Sequence, residues 1–491
     1  MVCCMAESTK KSSIIAYVNL VIVIFFMFGF GYIPAPAPLT QYGMAVIGIF
    51  IGVVYGWTVS SSGLTWVSLL GVAALGFTDL GACSVAMSKV FATDTAALLL
   101  FGMLMLGPVM ESNLTEYIVA KVLGSKFCYK KPWNFNILIV IIVPFLTLAI
   151  NAFLVALFIL PILSKMFNTA GYKKGDRYPV MLIIGFFVTM LVASVLFPWR
   201  GWGLYCTATF ASSSGGYMID YGKYMILAWL FYFVLGFAYL FMMKLLRCDV
   251  EPIRELDLSV FIDSSKTEGG MSKHQKGVLI AILSMAIGCC LVSFFGGDAG
   301  IGLILKKLGV HGVLLITLTC LLFIKVDGKP LGEIGSMAKY VMWDMLLVIA
   351  VAMLIASCLT SADTGVSPFL TKYVAPMLAG KSELVFLLIL AVVSLILTNL
   401  MNNMVIMLLF MAMAGQFYAN GIITNAPAAL MIINLATILG FYTPGSSAYG
   451  AMIHGADMCT SAQVYKYGAV AIALILLVLF AVVVPLCFLL F

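Results

Sequence analysis

The sequence carries little charge for its length. Asp, Glu, Lys and Arg make up 10% of the 491 residues, whereas about 25% is usual in a soluble domain. Hydrophobic residues make up 63%, and the mean hydropathy is +1.13. The apolar runs are long and continuous, unlike the short alternating strands of an outer-membrane barrel. This composition excludes a soluble protein and predicts an all-α polytopic membrane protein.

Motifs for catalysis and metal binding are also missing. The three His are scattered, no CxxC pair occurs, and no P-loop, HExxH or Ser/His/Asp constellation stands in a plausible context. Several of the twelve Cys lie inside apolar runs, which is typical of small packing residues. We therefore expect neither an enzyme, nor a resident cofactor, nor ATP hydrolysis. The net charge of +7 is interpreted as loop orientation and not as affinity for nucleic acid.

The first apolar run follows Lys10 and Lys11 and begins at Ser13. A signal peptide shares these features, but no small-residue cleavage site follows, so an uncleaved first helix is predicted. Because Lys and Arg concentrate in cytoplasmic loops, the N-terminus is predicted to be cytoplasmic. Lys306 and Lys307 are the exception, since the same layout places them outside.

The hydropathy pattern predicts eleven spans and two hairpins in the cell membrane, which puts the C-terminus on the extracytoplasmic side. The spans are predicted at about Ser13–Ile33, Gly43–Thr58, Gly63–Phe77, Thr95–Leu123, Tyr178–Phe197, Tyr224–Leu246, Gly277–Phe295, Val310–Ile324, Val341–Ser361, Ala426–Tyr442 and Val464–Phe491. The hairpins are predicted at about 135–167 and 384–417. Basic clusters on both sides of the first hairpin favour a re-entrant segment over a full span.

One short stretch occurs twice, as LTLAIN in the first hairpin and LTNLMN in the second. The ungapped alignment places Thr147 on Thr398 and Asn151 on Asn402. Each apolar arm around these residues is shorter than the roughly 20 residues that a spanning helix needs. Broken elements in corresponding positions of two halves point to a transporter binding site.

The layout predicts an inverted repeat. Residues 1–42 hold the first helix, 43–246 the first five-span unit, 247–276 a cytoplasmic linker and 277–491 the second unit. Because five is odd, the second unit enters the membrane upside down, and the two hairpin tips meet near the midplane. The alternative is that the two Asn-containing stretches match by chance, because the protein is rich in Leu.

The tips carry neutral polar side chains. Thr147 and Asn151 lie at the first tip, and Thr398, Asn402 and Asn403 lie at the second, beside Asn399. Amides and hydroxyls can coordinate a hard cation or bind an anion without burying an unpaired charge. The alternative is hydrogen bonding between helices, which is common for Asn and Thr in membranes.

One predicted helix follows each hairpin, and each of these two helices ends in a Pro- and Gly-rich break. The breaks read FPWRGWG at 197–203 and YTPGSS at 442–447. Arg200 is a functional candidate because an arginine at membrane depth is costly. The alternative interpretation is that Arg200 extends its side chain to the membrane interface beside Trp199 and Trp202.

Other acidic residues fall near predicted helix ends, where an interface position is the simpler interpretation for Asp94, Asp344 and Asp363. Glu111 lies inside a predicted span and is a candidate proton or cation site.

This layout, from the second predicted span to the last, resembles the divalent anion/sodium symporters of the ion transporter superfamily. That family has a Ser-Asn-Thr motif at each tip, where this chain has Asn151-Ala152-Phe153 and Asn402-Asn403-Met404. The resemblance implies a homodimer with scaffold and transport domains and elevator-type movement. It also implies transport of di- or tricarboxylates or sulfate, mostly with sodium.

The resemblance and the residues together give the candidate sites. Substrate-binding candidates are Asn151, Pro198, Arg200, Asn402, Asn403, Thr443 and Pro444. Sodium candidates are Thr147, Asn151, Thr398, Asn403, Gly445 and Ser446. We hypothesise that Arg200 takes over ligand binding from the hydroxyl and amide groups that the altered tips do not have. The sequence thus predicts a secondary-active carrier of a small anion. The alternatives are a cation/proton antiporter of the same superfamily and a receptor or enzyme on this scaffold.

Overall fold

The computed structural model describes residues 15–59, 65–92, 94–114, 117–118, 121, 131–149, 152–254, 270–373, 383–400 and 402–491. Their secondary structure is almost entirely helical, as the sequence predicts. The one β element among them is a ribbon in which β1 (Lys325–Val326) pairs antiparallel with β2 (Lys329–Pro330).

We number the helices from α1 to α22 in chain order. The first part of the chain holds α1 (Ile15–Tyr32), α2 (Gln41–Val59), α3 (Thr65–Leu75), α4 (Cys83–Phe91), α5 (Asp94–Leu104), α6 (Leu106–Glu111), α7 (Pro132–Ala149), α8 (Ala152–Thr169), α9 (Arg177–Ala193), α10 (Gly201–Ser213), α11 (Tyr221–Leu245) and α12 (Glu251–Arg254). The second part holds α13 (Lys273–Phe295), α14 (Gly300–Phe323), α15 (Ile334–Met337), α16 (Trp343–Thr360), α17 (Val366–Tyr373), α18 (Glu383–Leu400), α19 (Asn403–Ala419), α20 (Ala426–Thr437), α21 (Ala448–Gly455) and α22 (Ser461–Leu490).

Seven of the described helices are long and apolar enough to cross a membrane: α1, α2, α11, α13, α14, α18 and α22. Seven further apolar stretches are shorter, and they include most of α7, α9, α19 and α20. The chain is therefore an all-α protein with the helices of a membrane protein.

Each of the two stretches predicted as hairpins contains two described helices, and residues 150, 151 and 401 between them lie outside the described part of the chain. α7 and α18 both have 18 residues. The offset that places Thr147 on Thr398 also places Pro132 on Glu383 and Ala149 on Leu400, so both ends of the two helices coincide. α8 and α19 begin at the same offset. The helices within each pair pack against each other.

The helices after these pairs form the centre of the molecule. In α9 every residue from Tyr178 to Ala193 is buried, and in α20 every residue from Ala426 to Thr437 is buried. α9 packs against α7, α8, α11 and α22, and α20 packs against α18 and α19. α10 packs against α19, α20 and α16. The first half of the chain therefore contacts the second half through α9, which packs on α22, and through α10.

Several predicted boundaries were wrong. The span predicted at Thr95–Leu123 is interrupted, because Pro108 cannot donate to the carbonyl of Leu104 and its ring crowds that carbonyl. α5 accordingly ends at Leu104 and α6 begins at Leu106. α9 ends at Ala193, short of the predicted Phe197. The reason is similar, because Pro198 cannot donate to the carbonyl of Ser194 and its ring crowds that carbonyl.

The span predicted from Val310 belongs to a longer segment. α14 starts at Gly300 and bends at Gly309, whose φ of 57° is left-handed. Lys306 therefore lies in a helix and not in a loop, and its ammonium is 2.6 Å from the Asp298 carboxylate. The short helices α4, α10, α17 and α21 were not predicted.

Candidate functional site

The two broken segments of each half surround one cavity of about 890 Å³. Thr147 of α7 and Ala152 of α8 line it from the first pair, and Asn402 and Asn403, at the start of α19, line it from the second. Arg200 lines it from the α9–α10 break. The break between α20 and α21 contributes Ser447 and Ala448, and the remaining walls come from α5, α6 and the segment 340–344 that leads into α16.

Arg200 sits at the start of α10. The backbone N–H of Arg200 donates to the carbonyl of Phe197 at 3.2 Å, and Arg200 itself is extended. Gly201 follows with φ of +54°, a conformation that only glycine adopts without strain. Arg200 is thus the N-cap residue of α10, and the dipole of that helix adds partial positive charge at its N-terminus.

The guanidinium of Arg200 has no anionic partner within the part of the chain that the structure describes. The ion pairs found there join Arg254 to Glu251, Lys273 to Asp327 and Lys306 to Asp298. Asp344 lines the same cavity but does not pair with Arg200. An unpaired, partly buried cation is costly, so this position favours binding of an anion.

Trp199 and Trp202 flank Arg200 and line the same cavity. They are 2% and 7% exposed, and neither indole N–H has an acceptor among the described residues. Tryptophans at a membrane interface keep their polar end wet. The burial of both indoles disfavours the interpretation of Arg200 as an arginine that reaches the membrane interface.

Asn399 holds the second tip to the loop after α20. Its Oδ1 accepts hydrogen bonds from the backbone N–H of Phe441 at 3.1 Å and of Tyr442 at 2.8 Å. Its Nδ2 donates to the carbonyl of Leu395 at 2.8 Å. Thr443 Oγ1 donates to the carbonyl of Asn399 at 2.6 Å. Asn399 is therefore a structural residue of this break.

Three predicted sodium or substrate residues also make internal bonds. Thr398 is fully buried and donates to the carbonyl of Thr437 at 2.8 Å. Ser446 is fully buried and donates to the carbonyl of Thr443 at 2.7 Å. Neither they nor Thr443 are among the described residues that line the cavity.

The remaining loop candidates lie away from the cavity lining as well. Pro444 and Gly445 are exposed, while Pro198 is buried and its carbonyl accepts a 3.4 Å hydrogen bond from Thr207. In the described part of the chain the cavity is lined by other residues of these loops.

Asn402, Asn403 and Thr147 do line the cavity. Asn402 caps α19, since its Oδ1 accepts from the N–H of Met404 at 3.0 Å. The N–H of Asn403 donates to the carbonyl of Ser446 at 3.2 Å, and its side-chain amide makes no hydrogen bond to a described residue. Thr147 donates to the carbonyl of Pro144 at 2.9 Å. Asn151 lies outside the described residues.

Two lining residues were missed by sequence reasoning. Ser447 caps α21, accepting from the N–H groups of Tyr449 at 3.1 Å and Gly450 at 3.2 Å. Asp344, interpreted from sequence as an interface residue, lines the cavity and accepts a hydrogen bond from Thr65. A serine directly before a short apolar segment is a capping signal that could have identified Ser447.

The other ionisable candidates do not converge. Glu111 is exposed and accepts from Ser336 at 3.1 Å, and Asp363 is exposed and accepts from Ser361 at 3.3 Å. The side chain of Asp94 is outside the described part. No group of three or more His, Cys, Asp or Glu that could hold a metal ion occurs among the described residues.

Comparison with known proteins assigns no family. No protein-family model matches the chain, and no curated protein matches its sequence.

Proposed function

We propose that the protein is a secondary-active carrier of an anion that binds at Arg200. The observation that carries the proposal is one cavity lined by both helix pairs, by the loops after α9 and α20, and by Arg200, whose guanidinium has no ion-pair partner among the described residues. Helix breaks next to a cavity expose backbone groups and helix termini to a ligand, as in the binding sites of membrane transporters.

The proposal includes an inverted repeat of two five-span units within eleven spans. The coincident ends of α7 and α18, and the coincident starts of α8 and α19, support it. The same order recurs after each pair: a fully buried helix, a break, a short helix and a long apolar helix. This shared order supports the proposed repeat over a chance match of one motif.

We further propose elevator-type alternating access in a homodimer. The helix pairs and the buried helices that follow them pack on one another and would move together as a transport domain. α2, α3 and α16 also pack together and would belong to the scaffold.

Sodium is the proposed coupling ion. Asn403 and Thr147 are the sodium candidates that line the cavity. The bonds of Thr398 and Ser446 support a role in fixing the tip and not in binding an ion directly.

A cation/proton antiporter is the second candidate, and the position of Asp344 is the observation that favours it. A carboxylate in a transport cavity can bind a cation or carry a proton. In that case the protein would respond to sodium or pH and to no anion.

Thermal unfolding distinguishes the anion carrier from the cation/proton antiporter. The purified protein is measured with a panel of carboxylates, sulfate and other anions, each in sodium and in choline. We expect an anion to raise the unfolding temperature of the wild type, more so in sodium, and to leave that of Arg200→Gln unchanged. Arg177→Gln is the matched control. Arg177 lies at the start of α9 and donates to the carbonyl of Leu246 at 2.5 Å and to Tyr467 Oη at 3.3 Å. A shift with sodium or pH alone would support the antiporter and contradict the anion carrier.

A further inference from the structure

The charged groups of the cavity are few. Among its described lining residues, Arg200 supplies the only cationic side chain and Asp344 the only carboxylate. A ligand with one carboxylate can form two parallel hydrogen bonds with the guanidinium. A second carboxylate on the same ligand would meet no second cation among the described lining residues, and the carboxylate of Asp344 adds negative charge to the same cavity, which disfavours a dianion.

Two tryptophans belong to the same loop as Arg200 and line the cavity with it. The indole N–H groups of Trp199 and Trp202 lack acceptors in the described structure. Both indole nitrogens are buried, so the group at this end of the cavity that suits the anionic part of a ligand is the guanidinium of Arg200.

The rest of the cavity is largely apolar. Its walls include Met103, Leu106, Met110, Phe197, Leu204 and Trp343. Aromatic and methionine side chains suit the apolar body of a ligand, and methionine adapts to several shapes. The polar side chains of the lining apart from Arg200 and Asp344, among them Ser194, Tyr205, Asn402 and Asn403, are neutral, so they offer a second carboxylate hydrogen bonds but no positive charge.

The cavity is also large. Its volume of about 890 Å³ is near the upper end of the roughly 300–1,000 Å³ that small-molecule sites enclose. A ligand with a substantial hydrocarbon part fits within this volume along the apolar walls.

We propose that the cavity binds an organic monoanion whose greater part is apolar, with its carboxylate on Arg200 and its hydrocarbon part along the aromatic and methionine walls. This inference rests on the proposed anion carrier and narrows its substrate class. It departs from the di- and tricarboxylates that the family resemblance implies.

Two matched ligand series test it on the full-length protein in lipid nanodiscs. One contains straight-chain monocarboxylates from acetate to octanoate, and the other contains α,ω-dicarboxylates with the same carbon numbers. We expect the affinity for monocarboxylates to rise about threefold to fourfold with each methylene. Each monocarboxylate should bind at least about tenfold more tightly than its dicarboxylate counterpart, because of the like-charge repulsion from Asp344.

Primary amides of the same lengths control for partition of the ligands into lipid. The wild type should prefer each carboxylate to its amide. Arg200→Gln should lose that preference, whereas Arg200→Lys, which keeps the charge without the bidentate geometry, should retain part of it. Asp344→Asn should raise the affinity for dicarboxylates relative to monocarboxylates.

Tighter binding of dicarboxylates, or an affinity that does not change with chain length, would overturn the inference. If that binding still depended on Arg200, the proposed anion carrier would stand. Binding of no monocarboxylate, dicarboxylate or sulfate by protein that keeps its cooperative thermal unfolding would overturn both.

Discussion

Asn399 connects the break between α18 and α19 to the loop after α20. Its side chain accepts from two backbone N–H groups of that loop, and its own carbonyl accepts from Thr443. In the first copy of the motif the equivalent position is Leu148, which cannot make these bonds. The second tip is therefore fixed to its loop in a way that the first tip is not.

Substitution of Asn399 by Ala should destabilise the protein without removing a cavity-lining group. It leaves the N–H groups of Phe441 and Tyr442 without their acceptor, and unsatisfied buried groups of this kind cost about 1–3 kcal/mol each. We expect the free energy of unfolding to fall by about 2–4 kcal/mol, measured by denaturant titration in detergent.

Asn168→Ala is the matched control. Asn168 is exposed near the C-terminal end of α8, so its replacement should change stability little. Equal stability of Asn399→Ala and the wild type would show that these hydrogen bonds do not fix the tip.

Sequence reasoning identified single residues unevenly. Arg200 was found because a charge in an apolar context is rare, and it lines the cavity. Thr398 and Asn399 were found by the same polarity argument, yet they are buried in internal hydrogen bonds. Asp344 was missed as a cavity residue because a charge at the start of a helix is typical of the interface. Polarity in a sequence does not distinguish a ligand contact from a backbone contact.

At the scale of elements, α21 packs directly on the break that precedes it. A Cβ added to Gly450 would lie 2.2 Å from the carbonyl oxygen of Thr443 and 2.8 Å from Ser446 Oγ. Only a residue without a side chain permits this approach, so α21 and the loop hold one another in place.

Gly450→Ala should therefore displace the loop and weaken the second tip. We expect a loss of about 1–3 kcal/mol of stability, the usual cost of overpacking a tight site, together with weaker anion binding. Gly455→Ala in the same helix is the control, because a Cβ there meets nothing within 4 Å. A Gly450→Ala protein as stable as the control would contradict the close packing of α21 on this loop.

Long elements were predicted better than short ones. α18 and α19 have clear apolar arms, and their bounds lie close to the predicted 384–417. α10 and α21 were not predicted, since they are too short to span a membrane; α21 begins with a side-chain cap at Ser447, whereas α10 begins without one. The meeting of the four breaks follows from long-range packing, which local hydropathy does not contain.

At the scale of the whole molecule, the proposed eleven spans would place the two ends of the chain on opposite sides of the membrane. Reporter domains fused to the N-terminus and after Phe491 should show a cytoplasmic N-terminus and an extracytoplasmic C-terminus. The prediction follows from the odd number of spans and the basic residues near the start of the chain. Reporters on the same side would contradict the span count and the inverted repeat.

Uptake into proteoliposomes tests the central claim most directly. Liposomes containing the wild type, Arg200→Gln or the Arg177→Gln control would be given a radiolabelled anion that binds the purified wild type, with and without an inward sodium gradient. We predict saturable uptake by the wild type that the sodium gradient increases. Arg177→Gln should retain this uptake, and Arg200→Gln should lose at least about 90% of it, because one charged hydrogen-bonded contact is worth about 1.5–3 kcal/mol. Uptake no greater than in empty liposomes by folded wild type, or equal uptake by Arg200→Gln, would contradict the account.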